Sequence, residues 1–280
     1  MSLIGSLSSG VTGLQTFSKD LEIIGNNIAN VNTTAFKSSS LGFTESFSST
    51  LRASQPATAN TSNVLAAQIG TGVQISGVNT DYNQGALAST GQSTDLGISG
   101  EGYFIVKSAT DGNTYATRDG NFRWDDNGFL VSQQGDRVQD ITGADVQLTA
   151  APATTSIQSV SVNTSGQVIE YFADGTNNTT TGTPQTIGLA TFKQQGALMS
   201  KGNGLFSFDV AGINSVLPAL GTPGTAGYGT IEADTLEQSN VDLTSQFANM
   251  ITAQRSFQAN ARVVTVSDSV LDDIVNLKRS

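Results

Sequence analysis

The chain has 280 residues, room for one large domain or two to three small ones, and only 13% of them are charged, about half the usual share. A formal net charge of −10 argues against a nucleic-acid partner, because phosphate binding wants clustered Lys and Arg. Cysteine and histidine are both absent, which removes disulfides, thiol chemistry and the commonest general base and metal ligand.

The first stretch has a heptad pattern: Leu3, Leu7, Gly10, Leu14, Phe17, Leu21, Ile24, Ile28 and Val31 alternate in steps of four and three. That spacing predicts a coiled-coil helix seeking a helical partner. Within residues 1–36 the only charged side chains are Lys19, Asp20 and Glu22, so the face that ordinarily meets water is poor in charge. Gly5, Gly10, Gly13 and Gly25 each weaken an isolated helix by about 1 kcal/mol relative to Ala. The segment is expected to order only on assembly, with ends unfolded in the free monomer. Asn26, Asn27, Asn30 and Asn32 mark the helix end and turn, and their uncharged amides are candidates for hydrogen bonds between subunits.

Residues 41–84 are rich in Ser, Thr, Ala and Asn and read as an extended connector. Strand patterns follow at Tyr103/Ile105, Tyr115/Thr117, Phe122/Trp124 and Phe129/Val131. Turn signals fall between them at Asp111-Gly112-Asn113, Asp119-Gly120, Asp126-Asn127-Gly128 and Gly135-Asp136, predicting a meander of antiparallel hairpins. Residues 141–185 form a short insertion with a hairpin of Val160–Val162 against Gln167–Tyr171 across Ser165-Gly166, and a polar tip at Thr176–Thr183. Strands return over 187–208, and a Gly/Pro-rich passage leads to the C-terminus.

There the heptad pattern resumes at Leu243, Phe247, Met250, Gln254, Phe257, Ala261, Val264, Asp268, Leu271 and Val275, with Gln254 and Asp268 as polar interruptions. The simplest arrangement is an antiparallel pair of the two terminal helices, with Lys278 and Arg279 closing the second. The predicted fold is therefore mainly β with α-helical termini. A polymerisation domain would comprise residues 1–40 and 236–280, and a β-rich outer domain residues 85–235, holding the 141–185 insertion as part of itself or as a small subdomain.

No catalytic constellation emerges. Asp125-Asp126-Asn127-Gly128 lacks the spacing and closing Glu of a calcium loop and reads as a hairpin turn. Gly221–Gly229 lacks the Lys-Ser/Thr of a phosphate loop, and no histidine stands ready to activate a nucleophile. The expectation is a non-enzyme with neither metal nor cofactor. No run of about eighteen apolar residues could span a bilayer, and no basic n-region with a cleavable apolar core opens the chain. The protein is expected to stay in the cytoplasm or to leave by a route without a cleaved signal.

The terminal motifs resemble the flagellar rod and hook family, the axial proteins of the bacterial flagellum. Asn26, Asn27, Ile28, Ala29, Asn30, Thr33, Phe36 and Lys37 match its N-N-I-A-N-x-x-T-x-x-F-K core. "DLGISGEGYFIV" and "TRDGNFRWDDNGFLVSQQGDRV" resemble its central β motifs, and Leu236–Arg279 its C-terminal motif. Ala35 stands where members commonly carry glycine, so no special backbone angle is expected there. The wording "SNVDLTSQFANMITAQRSFQANARV" is closest to the hook protein, the first reading. The small 141–185 interval argues the other way, and a distal rod protein is the second.

The resemblance implies a homopolymer built through Leu7, Leu14, Phe17, Leu21, Ile24, Asn26, Asn27, Ile28, Asn30, Phe36, Leu243, Phe247, Met250, Phe257, Val264 and Leu271. It also implies export through the flagellar type III apparatus, with the hook cap, the rod and the hook–filament junction proteins as partners. A secreted β-rich adhesin whose helices merely trimerise it is a reading from another class.

Overall fold

The computed structural model describes residues 2–56, 62–148, 157–178, 184–208, 220–225 and 227–277. The chain divides into two compact units. A helical unit comprises Met1–Asn30, Ser38–Asp81 and Val241–Ser280, and a β unit comprises Val31–Lys37 and Tyr82–Asn240. Among the described residues no helix is long and apolar enough to cross a membrane.

In the helical unit, α1 (Ser2–Ala29) pairs with α2 (Leu243–Leu277). The pairing is antiparallel: Ser6 meets Ser267, Gly10 meets Val264, and Asn27 meets Gln246. Residues 41–84, expected as a connector, are extended but largely paired. β1 (Ser39–Glu45) lies antiparallel to β4 (Val73–Thr80), with a bulge at Gly42/Phe43. β2 (Ser48–Arg52) lies antiparallel to β3 (Ala67–Gly70). The N-terminal helix stops at Ala29 because the asparagine run takes over, Asn30 returning its amide to Asn26 as the chain turns.

The β unit is mainly antiparallel and starts with β5 (Leu87–Ser89), β6 (Leu96–Ser99), β7 (Tyr103–Lys107), β8 (Thr114–Thr117), β9 (Phe122–Trp124), β10 (Leu130–Ser132) and β11 (Arg137–Val138). Then come β12 (Ile157–Val162), β13 (Val168–Phe172), β14 (Leu189–Ala190), β15 (Met199–Gly202), β16 (Leu205–Ser207), β17 (Leu220–Gly221), β18 (Thr230–Ala233) and β19 (Thr235–Glu237). The main sheet runs β15-β16-β8-β7-β11-β10-β9, with β14 on the free part of β7 and β17 beyond it. Two returning strands pair with the start of the unit, β18 with β6 and β19 with β5.

β7 is apolar on both faces, and both are covered. Phe104 and Val106 enter a cluster with Leu96, Phe122 and Ile231, whereas Tyr103 and Ile105 enter another with Phe192, Phe206 and Phe208. A short continuous apolar run is the signature of such a doubly buried strand. The expected turn at Asp125-Asp126-Asn127-Gly128 closes the β9–β10 hairpin, Gly128 donating to the Asp125 carbonyl at 2.8 Å. The 141–185 hairpin is β12–β13, and Val162 and Val168 pack into the same cluster as Leu96 and Phe104. It is therefore part of the β unit's core. Of the expected polar tip, Thr179–Thr183 lies outside the described residues, as do Lys278 and Arg279.

Candidate assembly surface

On the α1 side the contact with α2 includes the small and polar residues Ser6, Gly10, Gly13 and Asn27. Along α2 the covered positions include Gln246, Met250, Ala253, Phe257, Asn260, Val264, Ser267 and Leu271, alternating in steps of four and three, with Ser256 and Ala261 half-buried beside them. Met250, Phe257, Val264 and Leu271 belong to the expected heptad. Of its other members Ala261 is half-buried and Leu243, Phe247, Gln254, Asp268 and Val275 are exposed, and Gln246, Ala253, Asn260 and Ser267 take the flank they were expected to fill. Glycine explains the substitution. A Cβ on Gly10 would lie 3.0 Å from Val264 Cγ2, and one on Gly13 would lie 2.8 Å from Asn260 Nδ2. Without side chains there, the backbones approach too closely for large apolar residues to interdigitate. The signal was legible as a seven-residue repeat of Gln, Ala, Asn and Ser, hidden by its polarity.

On α1, Ile24 and Asn27 are buried, while Leu7, Leu14, Phe17, Leu21 and Ile28 are half-buried. Asn27 is 1% exposed, and its amide is spent within the chain. Its Nδ2 donates to the Ser39 carbonyl at 2.7 Å and to Gln246 Oε1 at 3.2 Å, and its Oδ1 accepts the Ser39 amide at 3.1 Å. This side chain thus ties α1, β1 and α2 together within one chain. Asn26 is exposed and Asn30 half-buried, the Asn30 amide donating to the Asn26 carbonyl at 2.9 Å.

Phe36, half-buried, and Lys37, buried, belong to the β unit, so the boundary falls at Asn30, earlier than the sequence pattern places it. The reason is electrostatic. Lys37 Nζ donates to Glu237 Oε1 at 2.6 Å and to the Asn83 carbonyl at 2.9 Å. Arg118 donates to Glu237 Oε2 at 3.1 Å and to the Gly100 carbonyl at 2.8 Å. Gly85 adds its amide to Glu237 Oε1 at 2.8 Å, in a space where the Gln238 carbonyl leaves no room for a Cβ. Arg118 also lies 5.2 Å from the centre of the Tyr103 ring, and burial pushes the Tyr103 hydroxyl up to about 12.

To reach this node the chain bends at Ala35, whose φ of 55° is left-handed and whose amide bonds the Glu237 carbonyl at 2.9 Å. A special backbone angle is thus present despite the missing glycine, and alanine meets it with the smallest side chain that carries a Cβ. Thr34 donates to Asp119 Oδ1 at 3.0 Å, and burial raises that carboxyl above the usual range. Sequence patterns singled out Lys37 only within its motif. Its partners Asn83 and Glu237 stand 46 and 200 residues away, beyond any local spacing signal.

Apolar exposure is concentrated in one unit. Among the described residues the exposed large hydrophobic side chains all lie in the helical unit except Ile141, Tyr171 and Met199. On the hairpin, Phe47 is 80% exposed, Leu65 73% and Leu51 68%. On α2 the set includes Leu243, Phe247, Ile251, Val263, Val266 and Val270. The fully buried hydrophobic side chains described in this unit are Ile24 and Ala253, so it has almost no core of its own. Among the described residues no cluster of three or more acidic side chains is placed to hold a metal ion.

Comparison with known proteins assigns both the terminal and central segments. Residues 7–37 match the family model "Flagella basal body rod protein", 97–170 match "Flagellar hook protein FlgE/F/G D1 domain", and 233–277 match "Flagellar basal body rod FlgEFG protein C-terminal". The flagellar basal-body rod protein FlgG of Bacillus subtilis (strain 168) is 38% identical over 99% of this chain and 100% of its own length. The chain belongs to the flagellar rod and hook family. Another rod protein FlgG, from Agrobacterium fabrum, is 34% identical over 95% of this chain and 96% of its own. The flagellar hook protein FlgE of Treponema pallidum reaches 39%, but over 50% of this chain and 31% of its own. Two of the matched regions meet at the ion cluster: Lys37 closes the N-terminal match and Glu237 lies near the start of the C-terminal one.

Proposed function

We propose that this chain is a rod subunit of the bacterial flagellum, of the distal-rod type, which polymerises through its helical unit while the β unit stands as a folded module. The observation that carries this is the uncovered apolar surface of the helical unit, set beside two buried clusters in the β unit. An element with almost no core gains stability only when copies cover one another. The rod reading replaces the hook as first choice because the rod relatives pair with this chain along their whole length, whereas the hook relative pairs over less than a third of its own. The missing room for a large outer insertion points the same way.

On this reading the neighbours are further copies of the chain, other rod subunits beneath and the hook above. The hook cap and junction proteins belong to the hook alternative. Export would proceed through the flagellar type III apparatus without a cleaved signal. The interface would be built from half-buried residues such as Leu7, Leu14, Phe17, Leu21 and Ile28, and from the exposed Leu243 and Phe247.

Electron microscopy of concentrated purified protein tests this. Straight tubes are expected. Curved tubes would favour the hook, and discrete trimers would favour an adhesin.

A further inference from the structure

Charge is scarce on α1, where Lys19, Asp20 and Glu22 are the charged side chains. On α1, Lys19 and Glu22 pair with each other in solvent at 2.7 Å. That leaves Asp20, half-buried on the rim of a pocket of about 300 Å³ between α1, β1 and α2, where Phe17, Ile24 and Phe43 share the lining with the polar Ser40, Asn249 and Thr252. Within the described residues neither a hydrogen bond nor an ion pair reaches its carboxylate, and burial raises its pKa above the usual range. A half-buried carboxylate without a partner, in a pocket whose other lining residues are uncharged, is an unfavourable arrangement that an incoming cation relieves.

The cation with matching surroundings is on this chain's own α2. Phe247, Ile251 and Arg255 follow one another at four-residue spacing on one side of the helix, all exposed. Four-residue spacing aligns them as one ridge: two apolar side chains followed by a guanidinium. Arg255 has no ion pair within the described residues. With about 100° per residue, it points almost directly away from the α1 contact line, so it cannot reach the Asp20 of its own chain.

We propose that the Asp20 pocket is the seat for the Phe247–Ile251–Arg255 ridge of a second copy, with Arg255 pairing Asp20 and the two apolar side chains covering Phe17 and Phe43. The inference rests on the assembly reading and names the contact through which one copy holds the next. Charge complementarity selects the occupant: a pocket with a single acid beside Phe17 and Phe43 fits a ridge of two apolar residues and a single base.

Charge exchange tests it in the full-length protein. Asp20→Arg and Arg255→Asp should each abolish tubes, and the two together should restore them. Asp20→Asn, which keeps shape and loses charge, should raise the critical concentration for assembly about tenfold. Unchanged denaturation of Trp124 fluorescence shows that each variant keeps its β unit. Normal assembly of Asp20→Asn, or failure of the exchanged pair to assemble with its β unit intact, would overturn the seat while leaving assembly itself standing. Wild-type protein that forms no tubes would take down the assembly reading, and the seat with it.

Discussion

Glu237 accepts from two cations and a backbone amide, and its side chain is fully buried. Removing one member of a buried ion pair leaves the other charged and unsolvated, at about 3–5 kcal/mol. The three members are not equivalent. Glu237→Gln strands both Lys37 and Arg118, whereas Lys37→Met leaves Glu237 still held by Arg118 and Gly85. Chemical denaturation followed by Trp124 fluorescence should therefore show a loss of several kcal/mol for Glu237→Gln and a clearly smaller one for Lys37→Met. Equal losses would mean that Arg118 does not share the carboxylate. At this scale the node closes the β unit, since Phe36 also accepts the Asn240 amide at 3.3 Å and brings together the two segments that lead into the helices.

The helices α1 and α2 raise a question of fit more than of hydrophobicity. Their contact line carries Gly10, Gly13 and Thr16 on one side and Ala253, Asn260 and Ser267 on the other, leaving larger apolar side chains on the flanks. Gly10→Leu should force the pair apart and abolish tube formation, with the β unit's denaturation unchanged. Gly25 offers the contrast: a Cβ there meets nothing within 4 Å. Gly25→Ala should raise helicity by circular dichroism and add about 1 kcal/mol to the helix without harming assembly. If Gly10→Leu assembled at the wild-type concentration, the close approach of the helices would not matter. The β2–β3 hairpin belongs with these elements, because an isolated two-stranded hairpin is marginal in water and this one exposes Phe47, Leu51 and Ile69.

In the molecule as a whole the two units differ in what holds them. The β unit has two apolar clusters and a buried ion network, and the helical unit has little beyond Ile24, Ala253 and the Asn27 hydrogen bonds. Local stability should follow that difference. Limited proteolysis of dilute monomer is expected to remove α1, the 38–81 hairpins and α2 first, leaving a resistant fragment within 82–240. Termini that survive prolonged digestion would show that the helical unit is stable alone, and the argument from its missing core would fail.

Much of this protein was determined by its sequence alone, and the reasons are local. The two terminal helices come from heptad spacing, the meander from Asp-Gly and Asn-Gly turns between short apolar runs, and the helix end from its asparagines. These signals depend on neighbours within a few residues, so they survive without a fold. The family, too, could be read from the long motifs at both ends. Three matters were decided only by tertiary structure. The α1–α2 contact runs along Gln246, Ala253, Asn260 and Ser267 because glycines on the partner remove the space for larger side chains, a property of two helices together. Lys37 belongs to the β unit because its counter-charge is Glu237, and a buried pair is set by distance in space and not along the chain. Ala35 adopts a left-handed angle because its amide must reach the Glu237 carbonyl, a demand that its own side chain gives no sign of.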